Sequence, residues 1–390
     1  MKMKATMLFG ALAIVGAAHA QLTVSALSTF NGGTGWVQPL GTTAAPLSTA
    51  STGRGMAYNA ATGNLYVVDR TVVQGGTPNN VWILNGSTGA VQTGINNGVF
   101  ALPSSGVTTP VTGGTFLINK IGVSDDGKIY VTNLNTAVGA ANPGKIYKWN
   151  SEASAIASTG PDALISLSTP NAMRLGDTID VIGSGNNTRI VTGFNLAAGP
   201  AGYKVIEDNG SFTQTDVTIT GIGNTEGRLG VGFLDANSVI IKAPSNNMRL
   251  TTFTPGNTAG TLVASPAVTS AGESASDFAV VNGVPILAMM DMNNSVVRFY
   301  DMTNASAPAL MTVNGLPQGF TTTSGTLTGN GNATGEVKWG AISGSTATLY
   351  AMSSNQGLQA FTINVVPEPT SMIALGLGAV ALIRRRRSAK

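Results

Sequence analysis

Three acidic groupings hold the side chains whose type and spacing suit catalysis or cation binding: Asp125-Asp126, Asp177 with Asp180, and Glu207-Asp208. Two carboxylates of matched spacing cleave glycosides without help from histidine. Neighbours on a strand point to opposite faces, so Glu207 and Asp208 do not converge if that run is extended. Asp125 and Asp126, with Ser124 and backbone carbonyls, offer oxygen ligands for Ca2+, yet the ligand ladder of an EF-hand is missing. Asp125-Asp126-Gly127 between two strand-like runs also reads as a hairpin turn, and the turn is the expectation. Asp291, Asn293 and Asn294 form a second polar group at a turn. Among the tryptophans, Trp82 and Trp149 suit core positions, while Trp36, beside the glycine-rich stretch 31–35, is the candidate for stacking on a sugar ring. Trp36, Asp125 and Asp126 are thus the candidate ligand contacts.

Two absences limit the chemistry. The chain has no cysteine, and its one histidine is His19, inside the N-terminal apolar segment. A chain cut after Ala20 has no disulfide, thiol nucleophile, Ser-His-Asp triad or histidine metal site. No catalytic residue, metal or cofactor is expected.

The ends explain the formal charge of +3. Residues 1–20 place Lys2 and Lys4 before an apolar run and end in Ala18-His19-Ala20, a small-x-small cleavage site, which together read as a secretory signal peptide. Residues 371–383 form a second apolar run, followed by Arg384, Arg385, Arg386 and Arg387, a cluster that stays on the cytoplasmic side of a membrane. As a helix, the 14 residues 370–383 reach about 21 Å against a hydrocarbon core of about 30 Å, so snorkelling arginines or bilayer thinning must cover the difference. Before it stands Val366-Pro367-Glu368-Pro369, where two prolines exclude regular structure and leave the backbone open to a processing enzyme. Between the ends, residues 21–366 carry 14 Lys and Arg against 17 Asp and Glu, a balance of −3. Scattered cations on a mildly acidic body leave no footprint for nucleic acid.

The tail of Pro-Glu-Pro, short apolar helix and arginine cluster, residues 367–390, resembles the PEP-CTERM sorting signal. That resemblance implies recognition by an exosortase, a membrane-embedded cysteine-dependent transpeptidase acting near Pro367-Glu368-Pro369. It also implies a transient inner-membrane intermediate and a final place at the cell surface or outside it.

The body repeats itself. GMAYNAATGNLYVVDR and VWILNGSTGAVQT occupy residues 55–93, and IGVSDDGKIYVTN with GKIYKWN occupies residues 121–150. Weaker copies follow at 179–217, 227–264, 277–313 and 336–363. β-rich runs separated by turn residues, four to a repeat, indicate an all-β propeller. Six blades are expected, or seven if residues 32–47 or 94–116 hold strands. The sixth unit shows only three strands, and residues 21–27 have the alternating pattern of a fourth, which would close the ring and remove an exposed edge. Helix is expected only in the two targeting segments. The phrases YNAATGNLYV and SDDGKIYV resemble the NHL and YVTN repeat propellers, a likeness that implies fold rather than activity.

Two functional classes follow. The first is a non-catalytic surface or matrix protein whose partners are the secretion machinery, an exosortase and extracellular polysaccharide. The second is a secreted propeller hydrolase or lyase acting on polysaccharide or a lactone. Three or more convergent carboxylate, Arg or Tyr groups at the centre of the ring would favour the enzyme, and scattered Ser, Thr and Asn the scaffold.

Overall fold

Inner and middle strands of this chain are apolar on both sides, and that property dictates the layers they build. In Asn64–Asp69, Leu65 and Val67 point one way, Tyr66 and Val68 the other, and all four are buried. A sheet of such strands must be covered on both faces. The computed structural model describes residues 20–39, 47, 51–70, 79–136, 138, 143–167, 172–292, 294, 296–315 and 334–366. Residues 1–19 and 367–390 lie outside them, and with them the expected signal and membrane helices.

The body is a propeller-like succession of antiparallel meanders. Gly53–Asn59, Asn64–Asp69 and Asn80–Asn85 form the first, and Phe116–Val123, Ile129–Leu134, Gly144–Trp149 and Ala163–Leu167 the second. Asp180–Ile182, Thr188–Leu196, Gly202–Asp208 and Thr213–Ile219 follow, then Val231–Asp235, Ser238–Ile241, Arg249–Thr252 and Ala259–Ala264. These two share one sheet through parallel pairing of Thr213–Ile219 with Ala259–Ala264. Glu273–Val281, Val284–Asp291, Val296–Asp301 and Ala309–Leu310 come next, and Gly335–Ser343, Thr346–Ser353 and Gly357–Val366 end the body.

The first strand of each meander packs against the first strand of the next, and Gly335–Ser343 returns to Gly53–Asn59. Each apolar cluster fills the space between two consecutive meanders, so the alternating faces of one strand serve two clusters. Trp149 packs toward the first meander with Tyr66 and Phe100, and Trp82 toward the last with Tyr350 and Met352. Gln21–Ala26 pairs antiparallel with Gly357–Val366, in register from Gln21 opposite Val366 to Ala26 opposite Phe361. Its outer edge is covered by Val313–Gly315 in parallel.

Two features depart from the sequence reading, and a third bears on the seven-blade alternative. Helix is not confined to the ends, because Glu152–Ile156 is a short helix; Ser151 and Ser154 cap it reciprocally, and Glu152 accepts from Tyr66 Oη at 2.7 Å. The first meander has three strands rather than four, extended only by isolated bridges at Val91 and Val99. Residues 94–115 hold no strand, and within 32–47 the described strand is the two-residue Trp36–Val37, laid on Gly357–Val366. Among the described residues no helix is long and apolar enough to cross a membrane.

Candidate functional site

The innermost strands carry charge where their neighbours are apolar, and the ring brings those charges to its axis. Lys338 Nζ, on Gly335–Ser343, donates to Asp180 Oδ1 and to Asp277 Oδ1 at 3.0 Å each. The second oxygens are also engaged, Asp180 Oδ2 by the Phe233 N–H at 2.8 Å and Asp277 Oδ2 by the Trp339 N–H at 2.7 Å. Lys120 Nζ, on Phe116–Val123, reaches Glu336 Oε2 at 2.7 Å and the Gly335 carbonyl at 3.0 Å. Lys120 to Glu336 and Lys338 to Asp180 therefore tie strands that are not neighbours in the ring, whereas Lys338 to Asp277 ties two that are.

The electrostatics follow from this crowding. Burial alone would depress Lys338, but the two facing carboxylates outweigh it and hold the ammonium charged. Burial pushes the Asp277 carboxyl up, Asp180 adds to that, and Lys338 opposes it. Asp180, Asp277 and Glu336 against Lys120 and Lys338 leave the column one formal negative charge in excess.

One mouth of the ring is acidic. Asp125, Asp180, Asp235, Asp277, Lys338 and Trp339 line a cavity of about 300 Å3 there. Asp125 is raised by burial, against the Gly183 N–H at 3.1 Å and with Asp126 and Asp180 adding. Asp126 accepts from Ser124 Oγ at 2.6 Å and the Gly185 N–H at 2.9 Å. The Gly127 N–H meets the Ser124 carbonyl at 2.9 Å, with Gly127 at φ +85°, so this segment is a hairpin turn. Among the described residues no cluster of three or more acidic side chains is arranged to hold a metal ion.

The other residues singled out in the sequence are spread apart. Asp177 is bound by Arg174 through both Nε and Nη2, whereas Asp180 is bound by Lys338. Just before it, Gly176 has φ +93°, and a Cβ there would lie 1.8 Å from the Asn133 carbonyl oxygen. Only glycine allows that approach. Glu207 pairs with Arg189, whereas Asp208 is buried on the other face with Lys148 and Tyr130. Trp36 is not the exposed sugar platform expected of it, because it is 6% exposed and donates Nε1–H to the Gln356 carbonyl at 2.9 Å. The strand pairing of Trp36–Val37 with Gly357–Val366 pulls the ring inward.

Lys120, Asp277, Glu336 and Lys338 escape a reading by sequence proximity, since Lys120 and Lys338 are more than two hundred residues apart. The available signal was charge inside an otherwise apolar first strand, a single one in LINKIGV and SASDFAVV and two in EVKWGAI.

Beyond Val366 the chain runs into the Pro-Glu-Pro stretch, the apolar segment and the arginines, and there a family model, the PEP-CTERM protein-sorting motif, matches residues 365–387. The chain carries a PEP-CTERM sorting motif. That motif implies exosortase processing and export across the membrane toward the cell surface. Ala18, Pro367, Glu368, Pro369 and Arg384 to Arg387 lie outside the described residues, whereas Ala20 is buried and Val366 ends the last strand. A search of curated proteins found no match. A DUF4623 family protein from Bacteroides eggerthii superposes with a TM-score of 0.56 at 17% identity, covering 82% of this chain and 72% of that one. At that identity the likeness shows the fold alone. The WD40 β-propeller domain of Doa1 (TM-score 0.42, 10% identity, 79% of this chain and 78% of that one) and the Aleuria aurantia lectin (0.42, 12%, 81% and 96%) are weaker likenesses and carry no argument.

Proposed function

We propose that this is a non-catalytic surface or matrix protein: a six-bladed propeller, exported by a signal peptide, held briefly in the inner membrane, cut by an exosortase near Pro367-Glu368-Pro369, and retained with extracellular polysaccharide. The observation that carries the reading is the PEP-CTERM motif placed directly after the strand that closes the ring. Gln21, the residue after the expected signal cleavage, pairs with Val366, the residue before Pro367. Both cuts thus fall at one point on the outer blade and leave the closing strands whole. The count of six is supported by the first strands that meet in a cycle and by the apolar layers between successive meanders. The axial ion pairs favour a scaffold, because every oxygen of Asp180 and Asp277 is already bonded to another blade.

Intact mass of protein recovered from the cell surface or medium tests this reading. The expected species lacks residues 1–20 and those beyond about residue 370. Full-length protein still carrying Arg384 to Lys390 at the surface would leave a simple membrane anchor in its place.

A hydrolase or lyase acting on polysaccharide or a lactone is the second reading, favoured by one observation. Asp125, Asp180 and Asp277 border the same cavity, and Asp277 is raised as a general acid must be. This is the convergence that the sequence reading associates with an enzyme. Assays on glycoside, ester and lactone substrates, with and without divalent metal, are expected to show no turnover. Turnover abolished by Asp277→Asn or Asp180→Asn establishes the enzyme instead.

A further inference from the structure

The mouth of the ring opposite Asp125 is basic. Arg54 begins the inner strand Gly53–Asn59, Arg174 and Asp177 stand just before Asp180–Ile182, and Arg228 stands just before Val231–Asp235. Arg70 follows the second strand of the first meander and lies with its guanidinium 3.7 Å from the Phe116 ring centre. Arg54 and Arg70 border a cavity of about 650 Å3 together with Thr52, Asn79, Thr115 and Phe116. That volume is in the range of small-ligand sites.

These two arginines differ from the other guanidinium groups of the body. Arg174 and Arg228 share Asp177, Arg189 has Glu207, Arg249 has Glu226, and Arg298 has Glu273 and Asp291. Arg54 and Arg70 make no ion pair among the described residues. Arg54 Nη1 donates to Thr334 Oγ1 at 2.8 Å, but its Nε, like Arg70 Nη1, is buried without a hydrogen-bond partner among the described residues. Every Asp and Glu of residues 21–366 is a described residue, so beyond these the sequence holds only Glu368 and the terminal carboxylate. Burial, and then the Arg54 guanidinium, depress Arg70 to about 9. Asp177 and Asp69 oppose that depression without cancelling it, and a guanidinium stays protonated in proteins, so Arg70 is a cation held largely out of water. Buried donors of that kind are costly unless an acceptor reaches them.

We propose that Arg54 and Arg70 bind the oxyanion of a hydroxylated ligand, specifically the carboxylate of a hexuronate unit in an acidic polysaccharide. The guanidinium forks take the carboxylate, Thr52, Asn79 and Thr115 supply partners for ring hydroxyls, and Phe116, 42% exposed, supplies an apolar wall. The saccharide part rests on the matrix reading above, whereas the oxyanion part rests on the cavity and its unpartnered donors.

Calorimetric titration of the purified full chain with trigalacturonate, neutral maltotriose, and inorganic phosphate and sulfate tests the proposal. Trigalacturonate is expected to bind, maltotriose not to, and the inorganic anions to bind more weakly. Arg54→Gln and Arg70→Gln should each lower trigalacturonate affinity by about ten- to a hundredfold, the loss of a charge-assisted hydrogen bond. Arg70→Lys should recover part of it. Phe116→Ser, which removes the apolar wall, should weaken trigalacturonate more than phosphate. Phosphate or sulfate binding as tightly as trigalacturonate overturns the saccharide assignment, and no binding of any anion, or binding indifferent to both Arg→Gln variants, overturns the site. Correct processing without trigalacturonate binding removes this inference alone; full-length protein at the surface removes the sorting reading and leaves the site standing.

Discussion

Lys338 holds two aspartates that would otherwise face each other across the ring. Replacing it by methionine keeps the volume and removes the cation, leaving Asp180 and Asp277 buried and repelling. Removing one partner of a buried pair costs about 3–5 kcal/mol, so Lys338→Met should lower the urea midpoint sharply at pH 7, and a variant as stable as the parent would show that the axial charges are not a staple. Asp291 has the opposite balance. Burial opposes its ionisation, but bonds from Asn294 and Arg298 outweigh burial and hold its carboxyl down to about 2. A carboxylate depressed in the fold adds stability that is complete above the ordinary value of about 4 and is lost as pH falls through the folded value. Asp291→Asn should therefore cost roughly 1–2 kcal/mol at neutral pH, with the two stability curves converging as pH falls from about 4 toward 2. Curves that stay parallel over that window would rule out this role for Asp291.

The decisive element is the first strand. Leu22 and Val24 are buried in the layer between the last two meanders, while Gln21, Thr23 and Ser25 are exposed. Without that strand, Gly357–Val366 becomes an open edge, which invites association with other chains. Val24→Asp puts an unpaired charge into the apolar layer and should release the strand, seen as a lower Tm and a shift to large species on size-exclusion chromatography. Thr23→Asp, one residue away on the exposed face, should stay monodisperse with stability within about 0.5 kcal/mol of the parent. Equal behaviour of the two variants would contradict closure by this strand.

At the scale of the whole molecule, the body and the sorting tail meet at Val366. Changing Pro367, Glu368 and Pro369 together to alanine should leave unprocessed protein in the inner-membrane fraction, because the apolar segment still anchors while the recognition site is gone. Neutralising Arg384 to Arg387 should act differently: the stop signal weakens, and uncleaved chains reach the outside. Immunoblots of membrane and medium fractions separate the two results, and identical distributions for both variants would argue against an exosortase-read tail.

Much of this protein was legible in one dimension because the relevant physics is local. The repeat of hairpins, the alternation of residues 21–27 and the run from Val366 to Arg387 depend on neighbours in sequence: period-two burial, turn residues, and a contiguous tail read while extended. The third unit, expected at residues 179–217, spans 180–219 in the fold for that reason. The axis was not legible, because closing the ring joins Lys120 to Glu336 and Lys338 to Asp180 across long stretches of chain. Nor was the contrast between an acidic and a basic mouth, which depends on which end of each inner strand faces which side. Trp36 shows the same limit from the other direction: a glycine-rich neighbourhood suggested exposure, and pairing with the far end of the chain buried it. Composition and local pattern decide what a strand is, but only the closed ring decides which charges meet, because that meeting is a property of blades far apart in sequence.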